Sequence, residues 1–387
     1  MPIPISYNLR NITQRPISTL ATAVGIGLVV AVLIGTLALA SGFRAALTAT
    51  GSTENLIVLR KGADSEISSS ISRDQANILR AHPAVAQRDG RPLVAAELVV
   101  LTNLPRLGQA GSSNVPIRGI ETAGLPFRSA VKVVAGRMFS PGSSELIVGK
   151  RIASRFANCR IGDRLRFGQR EFAVVGHFEA DGSAFESEIW GDLSVLGPSF
   201  DRDGYQSVTF RMADASRFKT LERELEGDPR LGVDVRTERD WYQSQSQLLS
   251  GVIQVAGVFI TLIMAIGAIF GAMNTMFAAV SQRRREIAVL LTLGFTPGSV
   301  MLSFVIESVV LALIGGVLGC LLALLLNGIT TSTTNWQSFS EVAFAFRVTP
   351  MALAIGLAFA AMLGLVGGFL PSLRAARQPL AQGMRAL

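Results

Sequence analysis

This sequence is poor in charge. Only 17% of its 387 residues are Asp, Glu, Lys or Arg, while 49% are hydrophobic, against about 25% charged in ordinary soluble domains. With a mean hydropathy of +0.42, a disordered chain is excluded and a water-soluble enzyme is a poor fit. Histidine and cysteine are down to two each. Cys159 lies in a polar stretch and Cys320 in an apolar run, so there is no disulfide framework and no zinc-ligand spacing. A G-x-x-x-x-G-K-[ST] phosphate loop is missing, because Gly149-Lys150-Arg151 lacks both the earlier glycine and the hydroxyl. That absence excludes ATP binding by such a loop. A G-x-S-x-G elbow is missing too, and His177, in a strand-like run after Gly176, reads as a packed strand residue rather than a catalyst.

The charge that is present is segregated. Residues 44–250 hold 27 Lys+Arg and 25 Asp+Glu, leaving only 9 basic and 3 acidic residues for the other 180. Four charge-poor stretches remain, about 20–40, 252–280, 300–326 and 351–370, each long enough to cross a bilayer, which takes roughly 20 residues. The second and third exceed the hydrocarbon thickness and are expected to tilt or to continue into water. Ala38-Leu39-Ala40 resembles a signal-peptide cleavage site. However, its apolar stretch is longer than an h-region of about 7–15 residues, so a retained span is expected. The fold class expected is therefore an α-helical membrane protein with four transmembrane helices plus a mixed α/β external domain.

Orientation follows from the arginines. Arg10 and Arg15 precede span one, Arg283, Arg284 and Arg285 separate spans two and three, and Arg374, Arg377 and Arg385 follow span four. With four spans all eight fall on one side, which the positive-inside rule makes cytoplasmic. The segments expected are a cytoplasmic N-terminus 1–18, span one 19–43, an external domain 44–250, span two 251–280, a cytoplasmic helix 281–298, span three 299–326, an external loop 327–350, span four 351–370 and a cytoplasmic C-terminus 371–387. In the loop, Arg347 is expected to balance Glu341.

The external domain shows β-prone runs at 55–60, 93–101, 115–120, 146–148, 171–175 and 207–211, and helical spacing at 73–80, 150–157 and 215–225. The serines 68–72 read as a loop ending in a helix cap. The acidic stretch Glu179, Asp181, Glu186, Glu188 and Asp192 matches no calcium loop and reads as a solvated loop. Residues 240–249 are polar but free of Gly and Pro, so span two is expected to extend outward as a stalk, paired with an extension of span one through 43–47.

On the cytoplasmic side, Ile287, Leu290, Leu291 and Gly294 follow i, i+3, i+4, i+7 spacing after Arg283, Arg284, Arg285 and Glu286, which predicts an amphipathic helix. This helix reads either as a basic membrane-surface anchor or as a docking helix for a cytoplasmic partner. Glu307 lies inside span three, where a carboxylate faces the bundle interior with a partner, so a hydrogen bond to a neighbouring helix is expected, with proton relay as the alternative. Gly267-x-x-x-Gly271, Gly315-Gly316-x-x-Gly319 and Gly364-x-x-x-Gly368 are small-residue patterns that allow close helix contact, within the chain or in a dimer.

Several of these residues together resemble the FtsX/MacB-like family of ABC transporter permeases. They are Asn274-Thr275-Met276, Arg283-Arg284-Arg285-Glu286-Ile287-Ala288, Leu293-Gly294, Ser303-Phe304-x-x-Glu307-Ser308, and Gly367-Gly368-x-x-Pro371-x-x-Arg374-Ala375-Ala376 with Pro379. In the external domain, Gly136-Arg137-Met138-Phe139, 145–149, Gly162-Asp163, Val174-Val175-Gly176-x-Phe178 and 182–190 resemble the MacB-like periplasmic core. The resemblance implies a subunit of the mechanotransmission type, in a bacterial inner membrane. This subunit would bind no cofactor itself and would depend on a separate ABC ATPase carrying ATP and Mg. It also implies a second permease copy or paralogue as dimer partner and, in many members, a periplasmic membrane-fusion adaptor and outer-membrane channel. Residues 283–294 would be the coupling helix on the ATPase, with Glu286 and the apolar face 287–291 as its contact. Export or extraction of a substrate is the expected role. Lipoprotein release and FtsX-like regulation of a cell-wall hydrolase are the alternatives. Membrane lipid is an expected partner and nucleic acid is not.

Overall fold

The computed structural model of the protein describes residues 16–108 and 110–377. Arg10, Arg15, Pro379 and Arg385 of the sequence-based reading lie outside them. The chain divides into two units, one of residues up to 42 with 251–329 and from 346 on, the other of residues 43–250 with 330–345.

The second unit is built on a mixed sheet. Its strands are β1 (Asn55–Arg60), β4 (Val94–Pro105), β5 (Ser112–Ile120), β6 (Lys132–Gly136), β7 (Glu145–Gly149), β8 (Arg164–Phe167), β9 (Arg170–Glu179), β10 (Ile189–Asp192), β11 (Ser207–Arg211) and β12 (Val233–Thr237). Among the described residues the sheet has ten strands, in the order β12-β1-β11-β4-β5-β10-β7-β9-β6 with β8 on β9. β10 runs parallel to β5 and β7 parallel to β9, while the other pairs are antiparallel. A short ribbon, β2 (Gln87–Arg88) with β3 (Arg91–Pro92), stands apart.

Alternation along the strands sorts the two faces. Ala96, Leu98 and Val100 of β4, Val115 and Ile117 of β5 and Ile189 of β10 join one core. That core is completed by α2 (Arg73–Arg80), α3 (Lys150–Ala153), α4 (Leu193–Ser199) and α5 (Phe218–Gly227). Ser72 caps α2 as the serine run suggested: its Oγ accepts from Gln75 N at 3.2 Å and its N–H donates to Gln75 Oε1 at 2.7 Å, a reciprocal capping box. The opposite face carries Glu97, Arg118 and Trp190 and is buried as well.

The structure differs from the sequence reading in three places here. The helix expected over 150–157 ends at Ala153. Glu186, Glu188 and Asp192 are buried rather than solvated, each tied to an arginine or a backbone N–H. The loop expected over 327–350 contains a hairpin, β13 (Thr330–Asn335) with β14 (Ser340–Ala345). Glu341 of that hairpin pairs with Arg155 at 2.9 Å and Arg106 at 2.5 Å.

The first unit is helical. Among the described residues four helices are long and apolar enough to cross a membrane: α1 (Pro16–Thr48), α6 (Glu238–Gln282), α8 (Pro297–Leu324) and α9 (Pro350–Ala376). The unit boundaries at 42/43 and 250/251 fall inside α1 and α6. Proline opens α8 and α9, and Thr296 and Thr349 cap them by accepting from Ser299 N and Ala352 N at 3.3 and 3.2 Å, as helix starts require. Between α6 and α8 lies α7 (Arg284–Thr292), ended by Gly294 at φ +89°, a backbone state that glycine adopts without strain.

Five of the seven predicted packing glycines sit at close helix crossings. A methyl group on Gly315 or Gly319 would stand 2.6 Å from Ala23 O or 2.5 Å from Gly27 O, so α8 meets α1 backbone to backbone. Gly316, Gly364 and Gly368 mark close approach between α8 and α9, where an added Cβ would meet the side chains of Ala360, Ala312 and Ser308. Ser308 Oγ also donates to Gly364 O at 2.7 Å. Gly267 and Gly271 depart from the expectation: among the described residues nothing lies within 4 Å of a Cβ on either. They belong to an α6 flank that leaves Phe259, Ile263, Ile266 and Phe270 exposed.

Candidate functional site

The chain leaves α1 and later begins α6 at one point. Thr48 closes α1, and residues 50–52 then pass so tightly over the start of α6 that a Cβ on Gly51 would lie 2.5 Å from Glu238 O. Glu238, the first residue of α6, accepts from Ser52 N and Asn55 Nδ2, both at 3.1 Å, and Arg239 N donates to Ser52 O at 3.2 Å. Lower on the same helices, Arg44 Nη2 donates to Ser250 Oγ at 3.4 Å. The extensions of spans one and two expected from the polar run 240–249 are therefore paired.

Glu238 is also one end of a buried charge network. Its other oxygen accepts from Arg128 Nη1, and Arg128 Nη2 reaches Glu97 at 2.5 Å. Glu97 accepts in turn from Arg118 at 2.5 Å. Arg118 Nε and Nη2 make a two-pronged contact with Glu188 at 2.7 and 2.9 Å, and Arg118 also donates to Glu66 at 2.9 and 3.1 Å. Tyr242, one turn along α6, donates to Glu66 at 3.3 Å. The Phe185 ring lies 4.8 Å from the Arg128 guanidinium carbon and 5.2 Å from that of Arg118, within cation–π range. Glu97 is wholly buried and both arginines nearly so.

Such a network persists only because each charge has a partner. Burial opposes ionisation of Glu97, but Arg128 and Arg118 outweigh it and hold the carboxyl below its ordinary range. For Glu188 burial prevails over Arg118 and pushes the carboxyl up. Burial likewise opposes charge on Arg118, yet Glu188 and Glu66 more than offset it. Two guanidiniums thus hold four carboxylates drawn from β4, the 61–66 loop, the end of the 180–188 segment and α6. The network therefore ties the sheet to the first turns of α6. Sequence reasoning missed this centre apart from Glu188, although single charges inside apolar strands, Glu97 within 94–100 and Arg118 within 115–120, were its signal.

In the helical unit the structure splits the residues expected to form a coupling helix. Arg283 lies before α7 and turns into the bundle, its Nη1 donating to Glu307 Oε2 at 2.8 Å. Its guanidinium carbon lies 5.9 Å from the Phe304 ring. Ile287, with Leu291 beside it, packs into a cluster of Met276, Val280, Val300, Phe304 and Ala375. Leu290 is half-buried, while Arg284, Arg285, Glu286, Val289, Thr292, Leu293 and Gly294 are exposed. Arg283 and the Ile287–Leu291 stripe therefore anchor α7, and the opposite side of the helix faces outward. Glu307 thus pairs with Arg283, which the sequence reading placed in the cytoplasmic basic run.

Comparison with known proteins adds sequence likeness over most of the chain. The MacB-like periplasmic core domain matches residues 19–228, and the FtsX-like permease C-terminal family matches residues 258–380. The chain is 24% identical over 376 residues to the pyoverdine export ATP-binding/permease protein PvdT of Pseudomonas entomophila (strain L48), covering 87% of this chain and 56% of that one. It is 27% identical over 207 residues to the uncharacterized ABC transporter permease YknZ of Bacillus subtilis (strain 168), covering 51% and 49%. It is 29% identical over 230 residues to the macrolide export ATP-binding/permease protein MacB 1 of Yersinia pestis bv. Antiqua (strain Antiqua), covering 56% and 34%. The chain thus spans only a third to just over half the length of these curated relatives. Among solved structures, the periplasmic region of MacB from Actinobacillus actinomycetemcomitans aligns at TM-score 0.38 and 15% identity, covering 50% of this chain and 94% of that one.

Proposed function

Because this chain belongs to the FtsX/MacB-like family of ABC transporter permeases, we propose that it is the membrane subunit of an export system, driven by a separate ABC ATPase. ATP and Mg would be bound by that partner, and this chain would bind no cofactor. Closure of the ATPase would pull on α7 through its outward side, Arg284, Glu286, Val289 and Leu293, and so displace α6 and α1. The observation that carries this reading is the junction at Glu238, where the ends of α1 and α6 are fixed to each other and to the sheet. Displacement of either helix would then move the sheet as a body, without passage of substrate through the helices.

The arginine distribution supports cytoplasmic termini with the sheet unit on the opposite side, and the family likeness supports a bacterial inner membrane with that unit periplasmic. A second permease copy or a paralogue would complete the assembly, and the open flank of α6 with Gly267 and Gly271 is the side available to it. A periplasmic adaptor and outer-membrane channel would carry the substrate onward. Export is preferred over a cell-wall regulatory role because PvdT and MacB 1 are named as export proteins. Affinity purification of the tagged chain in mild detergent, followed by mass spectrometry, tests the reading. An ABC ATPase should be recovered with the chain, and its absence from every preparation would overturn the assignment.

A further inference from the structure

A cleft of about 760 Å³ opens on the helix-bearing side of the sheet, between α2 and α4 and over the start of β4. Its volume is that of a small-molecule site, which is typically about 300–1,000 Å³. Val94 and Leu193, both buried, form part of an apolar lining with the half-buried Tyr205. Arg73, Arg91 and Arg202, all exposed, line it as well.

The charges around this cleft do not cancel. Arg80 is neutralised by Glu121, whose second oxygen accepts from Ala96 N at 3.0 Å. Asp192 accepts from Ser194 N at 2.8 Å and Gly142 N at 3.1 Å and keeps its charge. Among the described residues neither Arg91 nor Arg202 has a carboxylate partner, and Arg73 donates only to the backbone O of Asp203, at 3.1 Å. Four arginines against Glu121, Asp192 and Asp203 leave the lining net positive, and Arg73, Arg91 and Arg202 are its guanidiniums without a carboxylate partner among the described residues. Guanidinium forks match the planar oxygens of carboxylates, phosphates and sulfonates.

We propose that this cleft binds a small amphipathic anion, an apolar body bearing one or two acidic groups. The body would lie against Val94, Leu193 and Tyr205, with its acidic group between Arg91 and Arg202. The identification of this anion as the exported substrate rests on the permease reading, whereas the binding itself does not. Both arginines are exposed and lie outside the core, so they are replaceable without disturbing the fold.

The test uses the full chain in phosphatidylcholine nanodiscs, with empty nanodiscs subtracted. 8-Anilinonaphthalene-1-sulfonate serves as the anionic probe and N-phenyl-1-naphthylamine as its uncharged counterpart. Replacing both arginines (Arg91→Ala with Arg202→Ala) should weaken the sulfonate about tenfold or more while leaving the uncharged probe unchanged. Arg88→Ala, an exposed change outside the cleft lining, should alter neither. Hydrogen exchange in the wild type should slow in segments 91–94 and 192–205 when the sulfonate binds. Equal sulfonate affinity in wild type and double variant, or slowing confined to the membrane helices, overturns the proposal. ATPase recruitment is measured separately: its failure sinks the permease reading alone, and failure of the titration sinks the cleft alone.

Discussion

Arg283 and Glu307 form a buried ion pair, with Nη1 2.8 Å from Oε2, and join the end of α6 to the middle of α8. The pair sits where α7 begins, and the carbonyl of Arg283 accepts from Ile287 N at 3.0 Å. One residue therefore fixes both the direction of α7 and its attachment to the bundle. The pairing changes what each substitution in the region is expected to do.

Glu307→Gln, mild if the carboxylate only hydrogen-bonds a neighbouring helix, leaves a buried guanidinium uncompensated. Loss of one partner of a buried pair costs about 3–5 kcal/mol. Glu307→Gln and Arg283→Gln should each lower the thermal midpoint in detergent by similar amounts. The double change Arg283→Met with Glu307→Leu should recover much of that loss. A double variant less stable than either single one would contradict the pairing.

The outward side of α7 is separable from its anchored side. Val289→Asp and Leu293→Asp should leave the fold and membrane insertion intact and abolish stimulation of the partner ATPase. Ile287→Asp should instead destabilise the bundle, because Ile287 is only 1% exposed. Normal coupled ATPase activity in the Val289 and Leu293 variants would show that α7 does not contact the ATPase.

At the junction of α1 and α6, Glu238→Gln removes the charge opposite Arg128 and should cost roughly 3–5 kcal/mol. Its more specific effect is on coupling. Spin labels on α6 at Gln243 and on the β4–β5 hairpin should keep a fixed separation across nucleotide states in the wild type and acquire a broad distribution in the variant. A wild-type separation that changes with nucleotide would show that the sheet and the root of α6 do not move together.

Glycine positions give opposite expectations. At Gly368 an added Cβ would stand 2.4 Å from Ser308 Cβ, so Gly368→Val should overpack the α8–α9 contact by about 1–3 kcal/mol or more. Gly267→Val meets nothing within 4 Å and should leave the single chain as stable as before. If it nevertheless lowers the oligomeric mass measured by light scattering, the α6 flank is an interface between copies.

The hairpin β13–β14 should release in acid. Burial opposes the charge on Glu341, but Ser332, Ser113, Arg155 and Arg106 outweigh it and hold its carboxyl below the ordinary range. A lowered value in the docked state means docking is stabilised above the ordinary carboxylate range, about 4.3. That stabilisation is lost as pH falls toward the lowered value. Hydrogen exchange over 330–345, corrected for intrinsic rates, should accelerate on acidification in the wild type. In Glu341→Gln it should be fast at every pH, and a pH-independent wild type would remove Glu341 from the docking of the hairpin.

The four apolar helices, the arginine asymmetry and the capped helix at Ser72 were legible in the sequence, because hydropathy, charge and capping act locally along the chain. β1 and β11 were legible for the same reason, as were the five glycines at helix crossings. Tertiary structure decided the rest. Whether Gly267 or Gly315 faces a neighbour depends on which side of a helix meets another helix, and small-residue spacing does not encode that. Arg283 read as part of a basic run and Glu188 as part of a solvated loop, since the partner of a buried charge lies 24 residues away for Arg283 and 70 for Glu188. The residues joining α1, α6 and the sheet are scattered from Ser52 to Tyr242, and only folding brings their charges close enough for burial to be offset by pairing.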